Sequence, residues 1–152
     1  MDSNNDFYDL NRFVWAQESI YPGVLAELRA GQKKSHWIWF IFPQVKGLGY
    51  SMTTRKYAIK SLEEASAYLE HAVLGSRLKQ CTRLVSQIEN RTVSEIFGEP
   101  DYMKFHSSMT LFSLVAEANS VFHAALKKYF ESVPDMKTLE ILKPRWISPA
   151  LH

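Results

Sequence analysis

The sequence has little cysteine and no long hydrophobic run. Cys81 is the only cysteine among 152 residues. A single cysteine cannot form an intramolecular disulfide or a cysteine-based zinc site, and a low cysteine content is typical of proteins in a reducing cytosol. The longest apolar run, residues 37–42, is far shorter than the roughly 20 residues that cross a bilayer. The sequence therefore predicts neither a disulfide scaffold nor a membrane-spanning segment.

An excess of charge of one sign is also missing. Basic and acidic residues number 18 and 16 and are mixed along the chain, so no positive stripe is present that could neutralise several phosphates. The first ten residues, MDSNNDFYDL, lack the basic start and apolar stretch of a signal peptide. We therefore expect that the protein does not bind nucleic acid in bulk. We also expect a cytoplasmic location.

Motifs that define a reaction are absent as well. The five histidines are scattered, with no pair at i and i+4 and no HExxH pattern, so we expect no metal site. The GLG at residues 47–49 lacks the context of a dinucleotide-binding fingerprint and the lysine-serine ending of a phosphate loop. No cofactor is predicted, and whether the protein is an enzyme stays open.

Apolar residues at helical spacing are abundant. They predict an all-α domain of about seven helices over residues 1–152, with an irregular tail at 144–152. Serine, threonine and aspartate residues precede several apolar stretches and are predicted helix caps: Asp9, Ser35, Ser61, Thr92, Ser120 and Asp135. Glu64 and Glu95 complete two capping-box patterns. Residues 43–53 read as an ordered loop.

Residues 35–44, SHWIWFIFPQ, are unusually rich in aromatic side chains. The apolar run suits a buried strand, but no partner strand is evident, so we favour a short buried helix that ends at Pro43. Cys81 has leucines three residues away on both sides, which predicts a buried structural thiol.

Two patches mix hydrogen-bonding groups into apolar surroundings. One comprises residues 35–37, 42–44 and 47–51, and the other comprises residues 104–110. Buried polar groups without partners cost a few kcal/mol each. The patches therefore either form a polar network that locks two helices together or face a pocket, and the sequence favours neither alternative.

If the patches face a pocket, their side chains divide into three roles. Trp37 or Trp39 would stack a ligand, Gln44 and Ser51 would read its edge, and Lys104 with His106 would meet an anionic or proton-transferring part. The predicted ligand-binding residues are Ser35, His36, Trp37, Trp39, Gln44, Gly47, Gly49, Ser51, Lys104, Ser107, Ser108 and Thr110. Candidate catalytic residues are His36, Asp101, Lys104 and His106, although Asp101 also suits a helix dipole.

The segments VLAELRAGQKKSHWIWFIFPQVKGLGYS, YAIKSLEEASAYL, EIFGEPDYMK and SSMTLF resemble the family called domain of unknown function 1810 (DUF1810). The resemblance runs from about residue 12 to about residue 130, and it implies a mainly α-helical fold. The family motifs fall on both polar patches. The chain departs from the family at Ala72, where the family has proline, which loosens a turn.

Two functions of different classes follow. The first is a pocket that binds or hydrolyses a small polar or nucleotide-like molecule without a metal; helical domains that process ADP-ribose adducts are similar in architecture only. The second is an interaction module whose aromatic surface docks a protein partner or a second copy. A homo-oligomer is compatible with the sequence but not predicted. If the aromatic side chains lie in a concave surface lined by polar groups, the first function is favoured. If they form a flat, exposed apolar patch, the second is favoured.

Overall fold

Helices make up the regular structure of the described chain. The structure, a computed structural model, describes the backbone of residues 6–146 and the side chains of residues 6–143. The helices in this range are α1 (Asn11–Glu18), α2 (Tyr21–Arg29), α3 (Ile38–Ile41), α4 (Met52–Lys56), α5 (Leu62–Glu70), α6 (Leu74–Ser86), α7 (Val93–Phe97), α8 (Asp101–Ser113), α9 (Val121–Phe130) and α10 (Met136–Trp146). The predicted all-α class is confirmed.

The predicted number of about seven helices is too low, since residues 6–146 contain ten. Three of them, α3, α4 and α7, have only four or five residues, too few to show a periodic pattern. Helix α4 begins inside the segment predicted as a loop. Helix α10 continues through Trp146, and the rest of the predicted irregular tail, residues 147–152, lies outside the described residues.

Four predicted caps are present at helix starts. Ser61 accepts a hydrogen bond from the backbone N–H of Glu64 at 3.0 Å, and Thr92 with Glu95 forms a complete capping box. Ser120 caps α9. The carboxylate of Asp135 accepts from the backbone N–H of Thr138 at 3.2 Å and so caps α10. These local signals define helix starts because they satisfy otherwise unpaired amides.

The other two predicted caps are wrong. Asp9 has a positive φ of 54°, and the carboxylate of Asp6 instead accepts from the backbone N–H groups of Leu10 and Asn11 at 2.7 and 3.0 Å. Ser35 lies two residues before Trp37, the residue that precedes α3, and no side chain caps that helix. The capping box predicted at Ser61 is also incomplete, because the carboxylate of its glutamate accepts from the N–H of residue 60 instead.

Helix α8 is the centre of the fold. It packs against α3, α5, α7, α9 and α10, and it buries seven of its thirteen residues, among them Phe105 and Phe112. Three of the buried residues are polar: Ser107, Ser108 and Thr110. Since a buried hydroxyl without a partner is costly, the surroundings of these three side chains decide what this part of the helix can do.

Most of the aromatic segment belongs to the hydrophobic core. Trp37, Ile38, Ile41 and Phe42 are each at most 2% exposed, and α3 confirms the favoured short buried helix. The ring of Phe42 lies edge-on to that of Phe105, with ring centroids 5.0 Å apart. Aromatic pairs of this kind contribute beyond their buried area, so the aromatic run mainly stabilises the fold.

Cys81 lies in the same core, as predicted. Burial raises the pKa of its thiol to about 12, so the thiol stays protonated and unreactive at neutral pH. Among the described helices, none combines the length and apolar character that crossing a membrane requires.

The turn between α5 and α6, which contains Ala72, is held by hydrogen bonds to a histidine side chain. The ring nitrogen Nδ1 of His71 accepts hydrogen bonds from the backbone N–H groups of Val73 and Leu74 at 3.1 and 3.2 Å. Gly75 approaches the carbonyl of Leu69 so closely that a Cβ atom would lie 2.0 Å from its oxygen. The two hydrogen bonds and this close approach hold the turn in place.

Candidate functional site

An open cleft of about 780 Å³ lies where the two polar patches meet. Three segments line it: residues 44–54, residues 100–107 at the start of α8, and residues 133–137. The first patch contributes Gln44, Gly49 and Ser51, and the second contributes Lys104, His106 and Ser107. The volume lies within the range of about 300–1,000 Å³ that is usual for small-molecule sites.

The loop after α3 is fixed by backbone pairing. Val45 and Ile59 form an isolated parallel β-bridge, in which the N–H of Ile59 donates to the carbonyl of Gln44 at 2.9 Å. Ser51 then caps α4 by accepting from the N–H of Thr54 at 3.1 Å. A Cβ atom on Gly49 would lie 2.6 Å from Cγ2 of Thr54. The glycine is thus required by the close packing of this loop on α4.

Gln44 combines burial with an unused amide. The residue is only 7% exposed and lines the cleft, and its side chain has no hydrogen-bond partner among the described residues. The side-chain atoms of residues 6–143 that lack both a partner and solvent contact belong to Trp39, Ser86 and Ser108. The Gln44 amide is therefore reached from the cleft, where it presents two donor hydrogens and an acceptor oxygen.

Asp135 docks the start of α10 onto α8. Its carboxylate accepts from the hydroxyls of Ser107 at 2.8 Å and Thr138 at 2.5 Å, and its backbone N–H donates to the hydroxyl of Thr110 at 2.8 Å. Ser107 and Thr110 thus belong to a network of satisfied hydrogen bonds between two helices. For these two residues the polar network is the alternative that the structure shows. This network gives the cleft a fixed wall.

His106 is held in one orientation. Its ring stacks on that of Phe130, with centroids 3.8 Å apart and planes 5° apart, and its Nε2 lies 2.8 Å from the carbonyl oxygen of Val133. Because a carbonyl oxygen only accepts, Nε2 carries the hydrogen. In the neutral ring Nδ1 is then an acceptor that can take up a proton.

The cleft carries an excess of positive charge. Asp101 pairs with Lys33 at 2.6 Å and with Lys104 at 3.8 Å, so one carboxylate faces two ammonium groups. Lys137 also lines the cleft. The carboxylate among the lining residues is that of Asp135, and this carboxylate already accepts the hydrogen bonds of the α10 cap. Asp101 itself does not line the cleft. The available charge favours an anion.

Four predicted ligand-binding residues in the first patch lie outside the cleft. Ser35 and Trp37 bind Glu27, through the serine hydroxyl at 2.5 Å and the indole N–H at 2.8 Å. His36 is exposed to solvent and does not line the cleft. Gly47 is also exposed and has a positive φ of 109°, a conformation that favours glycine. Local structure accounts for Ser35, Trp37 and Gly47.

The carboxylate of Glu27 organises the chain before α3. Partial burial opposes its ionisation, but hydrogen bonds from the backbone of Lys34, from the hydroxyl and backbone of Ser35 and from the indole of Trp37 outweigh that effect. Together they lower the pKa of Glu27 from its usual value of 4.5 to about 2. Four donors on one carboxylate favour its charged form.

This lowered pKa predicts an acid-sensitive contribution to stability. Because the folded-state pKa lies below the unfolded one, the stabilisation is complete above pH 4.5 and is lost as the pH falls towards 2. Glu27→Gln should lower the free energy of unfolding by about 1–2 kcal/mol at pH 7, and by less at pH 2. Urea unfolding of both proteins at the two pH values measures this, and an equal difference at both would contradict the assignment.

Trp39 and Ser108 contain buried polar atoms without partners. Within residues 6–143, neither Nε1 of Trp39 nor Oγ of Ser108 makes a hydrogen bond. Lys104 lies one turn before Ser108 on α8, and its ammonium is 5.9 Å from the centre of the Trp39 ring. Neither Trp39 nor Ser108 lines the cleft, and the fold gives no reason for their unpaired atoms.

Sequence reasoning missed one wall of the cleft. Residues 133–137, VPDMK, form the turn before α10 and its first two residues, and the sequence predicts only a helix start there. Tyr50 and Met103 also line the cleft and are exposed by 81% and 51%. The proline and aspartate at 134–135 predict a turn, but no local pattern indicates that the turn meets α8. Within the described residues, no three histidine, cysteine, aspartate or glutamate side chains are arranged to hold a metal ion.

Comparisons with known proteins agree with this fold. The chain is similar to the conserved hypothetical protein Rv1873 from Mycobacterium tuberculosis, whose crystal structure matches with a TM-score of 0.89 at 51% sequence identity. The match covers 91% of this chain and 99% of that one. No curated protein matches the chain. The family model described as protein of unknown function (DUF1810) matches residues 7–142, nearly the whole sequence, and the chain therefore belongs to the DUF1810 family.

Proposed function

We propose that the protein binds a small polar or nucleotide-like molecule in the cleft between the loop after α3, α8 and the start of α10. The observation that carries this proposal is the side chain of Gln44, which is 7% exposed and lines the cleft but has no hydrogen-bond partner among the described residues. A ligand that pairs with this amide replaces the water that otherwise solvates it. The proposal includes a cytoplasmic location.

Apolar side chains supply the rest of the binding surface. Leu48, Tyr50, Met103 and Met136 line the cleft around the polar groups, which is the usual composition of a ligand site. In this proposal Tyr50 stacks the ligand, in place of Trp37 or Trp39, because the two tryptophans do not line the cleft. Methionine adapts its shape to what it contacts.

Hydrolysis without a metal is the reaction that these side chains support best. His106, with Nε2 bonded to the carbonyl of Val133, has Nδ1 available to accept a proton from water in its neutral form. Lys104 would stabilise negative charge on a leaving group or product. In this version of the proposal the two residues act together, and the other candidates, His36 and Asp101, have no part because they do not line the cleft.

A second candidate function is the docking of a protein partner. Large hydrophobic side chains are exposed at the cleft. Within residues 6–143, four of them line it: Tyr50, Met103, Val133 and Met136. A fifth, Met52, follows the lining residue Ser51. Exposed aromatic and methionine side chains are frequent anchors in interfaces. This function needs no catalysis, and it includes contact with a second copy of the chain.

A thermal-shift screen against nucleotides and other polar metabolites separates the two functions. A ligand at a hundred times its dissociation constant adds about 2.7 kcal/mol to stability, which is a rise of several degrees in Tm for a chain of this size. The proposal predicts such a rise for at least one class of compound. If no compound raises Tm and Tm instead depends on protein concentration, the interaction function replaces the ligand pocket.

A further inference from the structure

We infer that the ligand carries one anionic group held by Lys104 and one planar edge that presents a hydrogen-bond donor beside an acceptor to Gln44. These two features together describe a nucleoside monophosphate, or the corresponding carboxylate. This inference rests on the proposed function and narrows it to a class of ligand. The charges around the cleft and the chemistry of the free amide lead to it independently.

The charge around the cleft suits a single anionic group. Two lysines, Lys104 and Lys137, and one aspartate, Asp135, line the cleft, an excess of one positive charge. Asp101 leaves this excess in place, because its single carboxylate is shared between Lys33 at 2.6 Å and Lys104 at 3.8 Å. A triphosphate needs more cations than the cleft offers. One carboxylate balances the excess of one positive charge, and one phosphate, which carries about −1.5 to −2 at pH 7, is balanced in part.

The free amide of Gln44 suits a planar edge. An amide places its acceptor oxygen and its donor N–H₂ side by side, so the matching group must place a donor beside an acceptor. Glutamine forms this pair of hydrogen bonds with the N6 and N7 atoms of adenine. Because Gln44 is 7% exposed, a ligand without such an edge leaves a largely buried amide unpaired, and that costs affinity.

Apolar side chains that suit a flat ring also line the cleft. Tyr50 and Met103 line the same cleft as Gln44 and Lys104, and the two apolar side chains are exposed by 81% and 51%. Exposed aromatic side chains stack on nucleobases with little dependence on which base is present. A nucleoside therefore brings both its hydrogen-bonding edge and its flat face to the available surfaces.

Titration calorimetry in a buffer without phosphate tests this inference. Adenosine, adenosine monophosphate, adenosine triphosphate and adenosine-5′-carboxylic acid are each titrated into the wild-type protein. We expect the monophosphate, the carboxylate or both to bind about tenfold more tightly than adenosine, as one charge-assisted hydrogen bond contributes about that factor. The triphosphate should bind no more tightly than the monophosphate. The uridine series repeats the comparison with another base.

Variants then assign the two ends of the ligand. Lys104→Met keeps the aliphatic stem of the side chain. It should bring the affinity for the monophosphate or the carboxylate down to that for adenosine while leaving the affinity for adenosine unchanged. Lys127→Met removes an exposed lysine that does not line the cleft and should change neither. Gln44→Leu should weaken both compounds by tenfold or more.

Three results would overturn the inference: equal affinity for adenosine and every anion in both series, an equal loss for both compounds in Lys104→Met, or no nucleoside binding at all. In each of these cases the proposed function stands if another metabolite raises Tm in the thermal screen. If no compound in that screen binds, the proposed function fails with the inference.

Discussion

Gln44→Leu is expected to weaken ligand binding in the cleft by tenfold or more while leaving the free energy of unfolding within about 1 kcal/mol of wild type. The reason is that the fold makes no use of this amide, since no described residue hydrogen-bonds it, although the residue is 7% exposed. Leucine fills a similar volume without polar atoms. Urea unfolding gives the stability, and titration with a compound from the thermal screen gives the affinity.

Gln17→Leu is the matched control, because Gln17 is a buried glutamine whose amide is fully used. Its Nε2 donates to the carbonyl of Phe40 at 2.7 Å and lies 3.2 Å from the hydroxyl of Tyr68, and its Oε1 accepts from Arg77 at 3.2 Å. This variant should lose about 1–3 kcal/mol of stability. If Gln44→Leu is destabilised as much as Gln17→Leu, then Gln44 is structural and the proposed site loses its main support.

Arg12→Met is expected to destabilise the protein by about 3–5 kcal/mol, because it leaves a buried carboxylate without its cation. Glu64 is 1% exposed, and its Oε2 lies 2.8 Å from Nη2 of Arg12. The same guanidinium also donates to the backbone carbonyls of Lys56 and Ala58 at 2.7 and 2.9 Å. Arg12 thereby ties α1 to the end of α4 and to the segment after it, and Thr54 of α4 lines the cleft.

Two further variants separate the charge of Arg12 from its other contacts. Arg55→Met removes an exposed arginine from α4 and should change stability by less than about 0.5 kcal/mol. The double variant Arg12→Met with Glu64→Leu should be more stable than Arg12→Met alone, since it removes the unpaired charge. Chemical denaturation measures all three. A loss in Arg12→Met as small as that in Arg55→Met would show that the buried ion pair contributes little.

The helical class and the four confirmed helix starts could be predicted from the sequence because their causes are local. The hydroxyls of Ser61, Thr92 and Ser120 bond amides within three residues, so short patterns contain the information. Helix α4 escaped prediction because its five residues, MTTRK, show no apolar periodicity. The ion pair of Arg12 with Glu64 escaped as well, because 52 positions separate the partners.

The candidate site could be predicted in part. The residue types indicate both polar patches, and the structure brings six of their residues to one cleft: Gln44, Gly49, Ser51, Lys104, His106 and Ser107. Ser35 and Trp37 lie elsewhere, because the carboxylate of Glu27, eight and ten residues earlier, binds both. A sequence pattern shows which side chains are polar, but the partner that satisfies each one depends on the fold.

The signal of the Gln44 side-chain amide in a ¹⁵N-resolved NMR spectrum tests the central claim most directly. Gln44→Leu assigns the signal by its loss, and the amide of Gln17 serves as an internal reference within the same protein. As a compound from the thermal screen is added, the Gln44 amide should shift with saturation and the Gln17 amide should stay in place. Saturable binding that leaves the Gln44 amide unmoved would contradict a ligand site at this cleft.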